Sequence, residues 1–385
     1  MNNQENEAVI VEAVRLPVGK RDGVYAETRS EYMLSTVLEA VMNRTSIARE
    51  NVDDVIVGCV TQNQEQGNNI ARIASLIAGY PESVPGMTIN RKCGSSQQAV
   101  HLAVQSIISG DCDTVVAAGI ENMTRQPIGS DTNGLPDELI KTYDWPSLGL
   151  AADRIAEKWE LSRSELDEFA VRSHILANEA SERGLFQREI TPIEVEKNGE
   201  KIIVKHDEGI RANTSTQKLA TLKPSFQENG KITAGNSSQI SDGASAILVM
   251  SKEKAQTLGV TPRARIIASD VIGCDPKLML TGTIPITKRI LQKANLTMDD
   301  IDIFECNEAF SSVILAWMKE LNPKIEKVNP RGGAIALGHP TGASGARIMT
   351  TLLHELEDSN HRFGLQVMCC GGGMATASIM EVINS

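Results

Sequence analysis

The chain has 385 residues, a formal net charge of −11 at pH 7, and 41% hydrophobic and 23% charged residues. A chain of this length buries a large core, in two or three domains or sub-domains, and its composition is that of an ordinary globular protein. The acidic balance argues against a general nucleic-acid or anionic-membrane binder, so an anionic small ligand would need a local cluster of Arg and Lys.

The start, MNNQENEAVIVEAVR, lacks the basic n-region and long apolar stretch of a secretory signal, and no apolar run approaches membrane-span length. These features predict a cytoplasmic protein. EAVIVEAV reads as a strand, SEYMLSTVLEAVMNRT as a helix, and DDVIVGCV and DTVVAAG as two further strands. That alternation predicts an α/β fold with a mainly parallel sheet over residues 1–122. Residues 123–240 change character. A turn-rich stretch from Arg125 to Trp145 precedes the helical LSRSELDEFAVRSHILANEASERG, where Ser162 and Glu165 form a capping box. A charged hairpin follows, with Asn198-Gly199 as its turn. Residues 241–262 are read as returning to the first half, and 263–385 as a second α/β half. The ends rhyme: VPGMTINRKCGSSQQAVHLAVQSII and then TVVAAG has the order of VNPRGGAIALGHPTGASGARIMTTLLHEL and then LQVMCCGGG. Both helices begin with small residues, which allows close approach of a backbone or ligand. The pattern is a duplicated α/β core carrying a loop-rich insertion.

The seven cysteines are an odd number with no CxxC pair, so neither a disulfide framework nor a metal site is suggested. Cys59, Cys112, Cys274 and Cys306 read as small buried hydrophobes. Cys93 differs, because NRKCGSS places it where a helix begins, and a helix N-terminus favours a thiolate. A cysteine nucleophile needs a base, and an acyl-cysteine needs N–H donors for its oxyanion. His339, Asn307 and the glycines after Cys369 lie in clusters at predicted strand ends and could supply them.

NRKCGSS, GNSSQISDGASA, NEAF, GGAIALGHPTGASGAR and CCGGGM, in this order, resemble the thiolases, and the resemblance spans nearly the whole chain. It implies the thiolase fold: duplicated βαβαβαββ halves forming a layered α/β/α/β/α core. It also implies an acyl-CoA C-acyltransferase that runs Claisen condensation of acetyl-CoA, or CoA-dependent thiolysis of acetoacetyl-CoA or another 3-ketoacyl-CoA, through an acyl-cysteine. By resemblance, Cys93 is the nucleophile. His339 activates it and helps to bind the thioester oxygen of the second acyl-CoA, and Asn307 holds a water completing that oxyanion site. Cys369 moves the α-proton, and the N–H groups of Cys93 and Gly371 form a second oxyanion hole. Alternation points Cys370 to the opposite face. Ser238 matches a position on the pantetheine arm, Arg211 one near the nucleotide, and Met279 one bordering the acyl pocket. The partners implied are acyl-CoA and CoA, with no metal or organic cofactor, in a homodimer or homotetramer.

Two positions depart from the family pattern. Arg331 stands where Asn or His is usual, giving either an altered hydrogen-bond pattern beside the active-site loop, a nearby anion, or an outward-facing charge. Ser147 and Leu148 replace the His-Met of short-chain condensing members, while SSQISDG looks more like the degradative branch. Two other readings remain: a condensing enzyme of the ketoacyl-synthase type, which the second cysteine disfavours, and a non-catalytic acyl-CoA or lipid binder, which the intact NEAF, GHP and CCG disfavour.

Overall fold

A computed structural model describes residues 7–383 of the chain. Its strands are β1 (Ala8–Arg15), β2 (Gly19–Lys20), β3 (Asp54–Gly58), β4 (Gly86–Ile89), β5 (Thr114–Asn122), β6 (Ile193–Lys197), β7 (Glu200–Val204), β8 (Ser241–Ser251), β9 (Ala264–Gly273), β10 (Ile303–Cys306), β11 (Phe363–Cys370) and β12 (Met374–Val382). The large sheet runs β10-β11-β12-β9-β1-β8-β5-β3-β4, with β2 added on β8.

The duplication is visible in the pairing. In the first half β4, β3 and β5 are parallel, and β8 and β1 follow antiparallel. In the second half a lone bridge at Val328, then β10 and β11, are parallel, and β12 and β9 follow antiparallel. Among the described residues the strands of the two halves pair at Ile10 with Ala264.

Alternation along each strand builds the layers. On β5, Val116, Ala118 and Ile120 pack with Leu34 and Val37 of the helix Ser30–Thr45 on the outer side. Val115 and Ala117 turn inward, onto Ala99, Val100 and Ala103 of the helix Ser95–Ser109 and Met349 and Leu352 of the helix Ser344–Asp358. Ile303 and Met380 of the second half reach the same middle layer. Ile286 and Ile290 of the helix Thr283–Ala294 cover the far side, against Leu365 and Ile379. The order is helix, sheet, helix pair, sheet, helix. Strands buried on both faces read as unbroken apolar runs, which is why TVVAAG was legible.

The predicted strand over 113–119 extends to Asn122, because Asn122 pairs with Asp242 of β8. The capping box at Ser162–Glu165 opens the helix Arg163–Glu182. The hairpin β6–β7 turns at Asn198 and Gly199, with φ of 53° and 78°, as a left-handed two-residue turn requires. Cys59 and Cys306 are buried as expected, whereas Cys112 and Cys274 are only half-buried. The last two lie in connections at the rim of the sheet, where neighbours cover one side alone.

Candidate active site

The two middle helices begin side by side at the C-terminal ends of the parallel strands. Close approach depends on their small residues. A Cβ on Gly119 would lie 2.5 Å from the Gly342 carbonyl, and one on Gly345 would overlap the Gln97 backbone. Ser96 Oγ accepts from the Ala346 N–H at 2.9 Å, tying one helix start to the other. Buried Glu121, at the end of β5, accepts from the N–H groups of Val60 (2.9 Å), Thr61 (3.0 Å) and Gly342 (2.9 Å) and from Thr341 Oγ1 (3.0 Å). This carboxylate fixes the loop that carries His339 against the loop after β3.

Cys93 precedes the first of these helices by two residues and is nearly buried. Lys92 before it has φ 50°, a left-handed conformation uncommon for a side-chain-bearing residue, and Ser95 Oγ braces the turn by accepting from Arg91 N–H and donating to the Lys92 carbonyl. The predicted thiolate is not the resting form. Burial pushes the Cys93 thiol up to about 11, outweighing the N–H groups of Gly371 and of Cys93 itself, which point at the sulfur and act in the opposite sense. The helix start supplies donors but leaves the thiol protonated, so attack requires a base.

His339 is such a base, and its tautomer is set by its neighbour. Ser344 Oγ donates to the Pro340 carbonyl at 2.8 Å, so it can only accept from His339 Nδ1, 2.6 Å away. The proton therefore sits on Nδ1, and Nε2 keeps its lone pair. Burial, then the Arg347 charge, pull the imidazole down to about 3, so it is neutral at working pH. Asn307 Nδ2 lies 3.4 Å from His339 Nε2 and 4.0 Å from the Cys369 sulfur. Its Oδ1 is buried and has no hydrogen-bond partner among the described residues.

Cys369 and Cys370 close the back. Cys369 packs with Met279, Phe310 and Ala309, while Cys370 faces the other way, onto Met368 and the Gly94 turn. Alternation separates the pair as expected, yet Cys370 still shares a packing cluster with Cys93. Burial is the leading cause that pushes the Cys369 thiol well above its ordinary range. Leu148 and Trp145 are half-buried against the cluster around Cys369 and Met279. Ser238 and Arg211 line one open groove of about 670 Å³ with Lys20, Arg21, Phe226 and Gln239. Ser238 N–H donates to the Ala309 carbonyl at 2.9 Å, and Phe226 stands edge-on to Phe310, so the groove abuts the buried site. Among the described residues no group of His, Cys, Asp or Glu is arranged to hold a metal ion, and no helix is long and apolar enough to cross a membrane.

Arg331 does not face outward, nor does it offer an anion site. Its side chain is 1% exposed and bonds Glu355 at 2.6 Å, Asp358 at 2.7 Å and the Leu185 carbonyl at 2.7 Å. It staples the loop before His339 to the helix Ser344–Asp358 and to the insertion. Sequence reasoning gave no role of their own to Ser344, Glu121 and Glu308. Buried Glu308 accepts from Ser173 Oγ, Asn329 Nδ2 and the Ile335 N–H, holding the glycine loop in place. Ser344 had a signal, five residues after His339 in GASG, but read only as a small helix-start residue.

Residues 8–253 match the thiolase N-terminal domain family, and residues 260–382 the thiolase C-terminal domain family. A steroid 3-ketoacyl-CoA thiolase of Mycobacterium tuberculosis is 44% identical over 388 residues, covering 97% of this chain and 94% of that protein. A 3-ketoacyl-CoA thiolase of Shewanella loihica is 45% identical over 97% of this chain and 99% of its own length. The crystal structure of the Bacillus anthracis acetyl-CoA acetyltransferase superposes with a TM-score of 0.92 at 36% identity, over 99% of this chain and all of that one. With two cysteines, a histidine and an asparagine converging at the helix starts of a duplicated core, the chain belongs to the thiolase family and is an acyltransferase.

Proposed function

We propose that this enzyme cleaves 3-ketoacyl-CoA by thiolysis, with free CoA, through an acyl group held on Cys93. The observation that carries the reading is that Asn307 Nδ2 reaches both His339 Nε2, at 3.4 Å, and the Cys369 sulfur, at 4.0 Å, while the N–H groups of Gly371 and Cys93 meet the buried Cys93 sulfur beside Cys369. His339 takes the thiol proton as the Cys93 sulfur attacks the 3-keto carbon, and the N–H groups of Cys93 and Gly371 receive the oxyanion. The C2–C3 bond breaks, its electron pair goes to C2, and Cys369 gives C2 a proton, releasing acetyl-CoA. A thiol whose proton is held more tightly than usual is still a far stronger acid than the α-C–H bond that forms, so the transfer to the enolate is downhill. The Cys369 thiolate so formed takes the proton of the CoA thiol as the CoA sulfur displaces the acyl group, and His339 returns its proton to the departing Cys93 sulfur. His339 Nε2 and a water on Asn307 serve the thioester oxygen, which suits an Oδ1 with no partner among the described residues. Condensation is the same path in reverse.

Ser238, Arg211 and the neighbouring Lys20 and Arg21 would take coenzyme A in the groove, with guanidinium groups suited to phosphate and the apolar end leading to Phe226. Met279 and Leu148 border the acyl group. The division at 122/123, 240/241 and 262/263 is supported by β8 pairing with β5 and β1. We read the enzyme as cytoplasmic, with CoA as its only coenzyme, and as a homodimer or homotetramer.

Cys93→Ala tests the reading. Thiolysis is expected to fall by at least about 10⁴-fold, since without the sulfur no covalent intermediate forms. Intact-mass measurement with a 3-ketoacyl-CoA and no free CoA should show an acyl adduct on the native chain and none on the variant. Full activity in the variant would end the proposal.

A further inference from the structure

We propose that Trp145 walls off the acyl pocket and confines this enzyme to short-chain 3-ketoacyl thioesters, an inference that rests on the thiolase chemistry above. Trp145 belongs to the insertion, not to the duplicated core. Its indole packs against the apolar cluster that contains Met279, Phe310 and Cys369. A Cβ built on Gly372 would lie 3.5 Å from its Cζ2 and 3.6 Å from its Cη2, so the benzo edge covers the residue next to Gly371. Leu148 Cδ2 lies 3.4 Å from the same point on Gly371, whose N–H meets the Cys93 sulfur. An acyl chain leaving that sulfur therefore runs beneath Leu148 and meets the indole.

The wall is clamped. Arg154 Nη1 donates to Asp144 at 3.0 Å and to the Lys277 carbonyl at 3.5 Å, and Lys277 Nζ is 3.9 Å from Asp144. These contacts tie the residue before Trp145 to the segment that leads into Met279. A large aromatic group packed on the cluster, with the residue before it tied down, acts as a stop, and a hydrophobic pocket discriminates by the methylenes it cannot accept.

The test is kcat/KM for thiolysis of acetoacetyl-CoA and of 3-ketodecanoyl-CoA, with the native enzyme, Trp145→Ala and Trp145→Leu. The native enzyme should favour the four-carbon substrate. Trp145→Ala should raise the ten-carbon to four-carbon ratio by at least 10-fold, and Trp145→Leu should do so less. Should the alanine variant fold poorly, the leucine ratio decides alone. A ratio unmoved in folded variants, or a native enzyme that cleaves ten carbons as well as four, overturns the inference and leaves the thiolase reading intact. A native enzyme that cleaves neither substrate overturns both.

Discussion

At the scale of single residues, the site works by keeping its proton carriers neutral until substrate arrives. Burial disfavours charge on Cys93, Cys369 and His339 alike, so proton transfer from Cys93 to His339 makes a thiolate–imidazolium pair that is reached only as the sulfur attacks and its charge passes to the bound oxyanion. Ser344 is the residue that makes His339 a base rather than a donor. Ser344→Ala should lower kcat by roughly ten- to a hundred-fold with KM little changed, because the imidazole loses its fixed tautomer while the CoA groove is untouched. Steady-state kinetics check this, and an unchanged kcat would remove Ser344 from the machinery. Titration gives a second test. Burial pulls His101 to about 3, His174 to about 4 and His339 to about 3, so all three stay neutral well below an ordinary imidazole. Their resonances in histidine-labelled NMR spectra should not move between pH 5 and 8. The sign for stability follows. From about pH 6.5 downward the unfolded imidazoles bind protons that the folded ones refuse, so each group makes the fold less stable as pH falls toward its folded value. A titration of His339 near pH 6.5 in the free enzyme would contradict its burial.

At the scale of elements, the constraint is contact between helix starts. Gly345 has no room for a methyl group because the Gln97 backbone occupies the space, and backbone does not yield as a flexible side chain does. Gly345→Ala should lower stability by about 2 kcal/mol or more, or abolish soluble expression; thermal unfolding reads the outcome. Arg331 bonds two elements to the His339 loop from a buried position. Arg331→Met leaves Glu355 without its cation and Asp358 with Arg188 alone, and should cost about 2 kcal/mol, with activity falling in parallel as the loop loosens. The motif around Arg331 was legible, but its role was not. Glu355 and Asp358 lie more than twenty residues along the chain, and nothing local shows that a helix brings them back.

At the scale of the whole molecule, β4 ends the large sheet with one partner among the described residues, β3. Met87 on that edge is exposed, as are Leu76 and Ile77 on the neighbouring helix Ile70–Ile77. An open edge flanked by apolar side chains is a natural seat for another strand, and a second copy of this chain offers the same edge. Sedimentation should give a mass that is a multiple of 41.6 kDa, and Met87→Lys should shift it toward the monomer. A native monomer would count against the oligomer.

The sequence by itself determined the alternation of strands and helices, the duplication, the hairpin turn and the capping box. Each of these is a local pattern: apolar periodicity, a turn dipeptide, or a motif short enough to be read along the chain. Only the tertiary structure decided the protonation of Cys93, the tautomer of His339, the burial of Arg331 and the covering of the glycine turn by Trp145. Those depend on how much water is excluded and on which distant groups fill the space, as Glu121 shows by holding loops from both halves. A helix start supplies N–H donors wherever it lies, but whether a thiol there ionises is set by the protein packed around it.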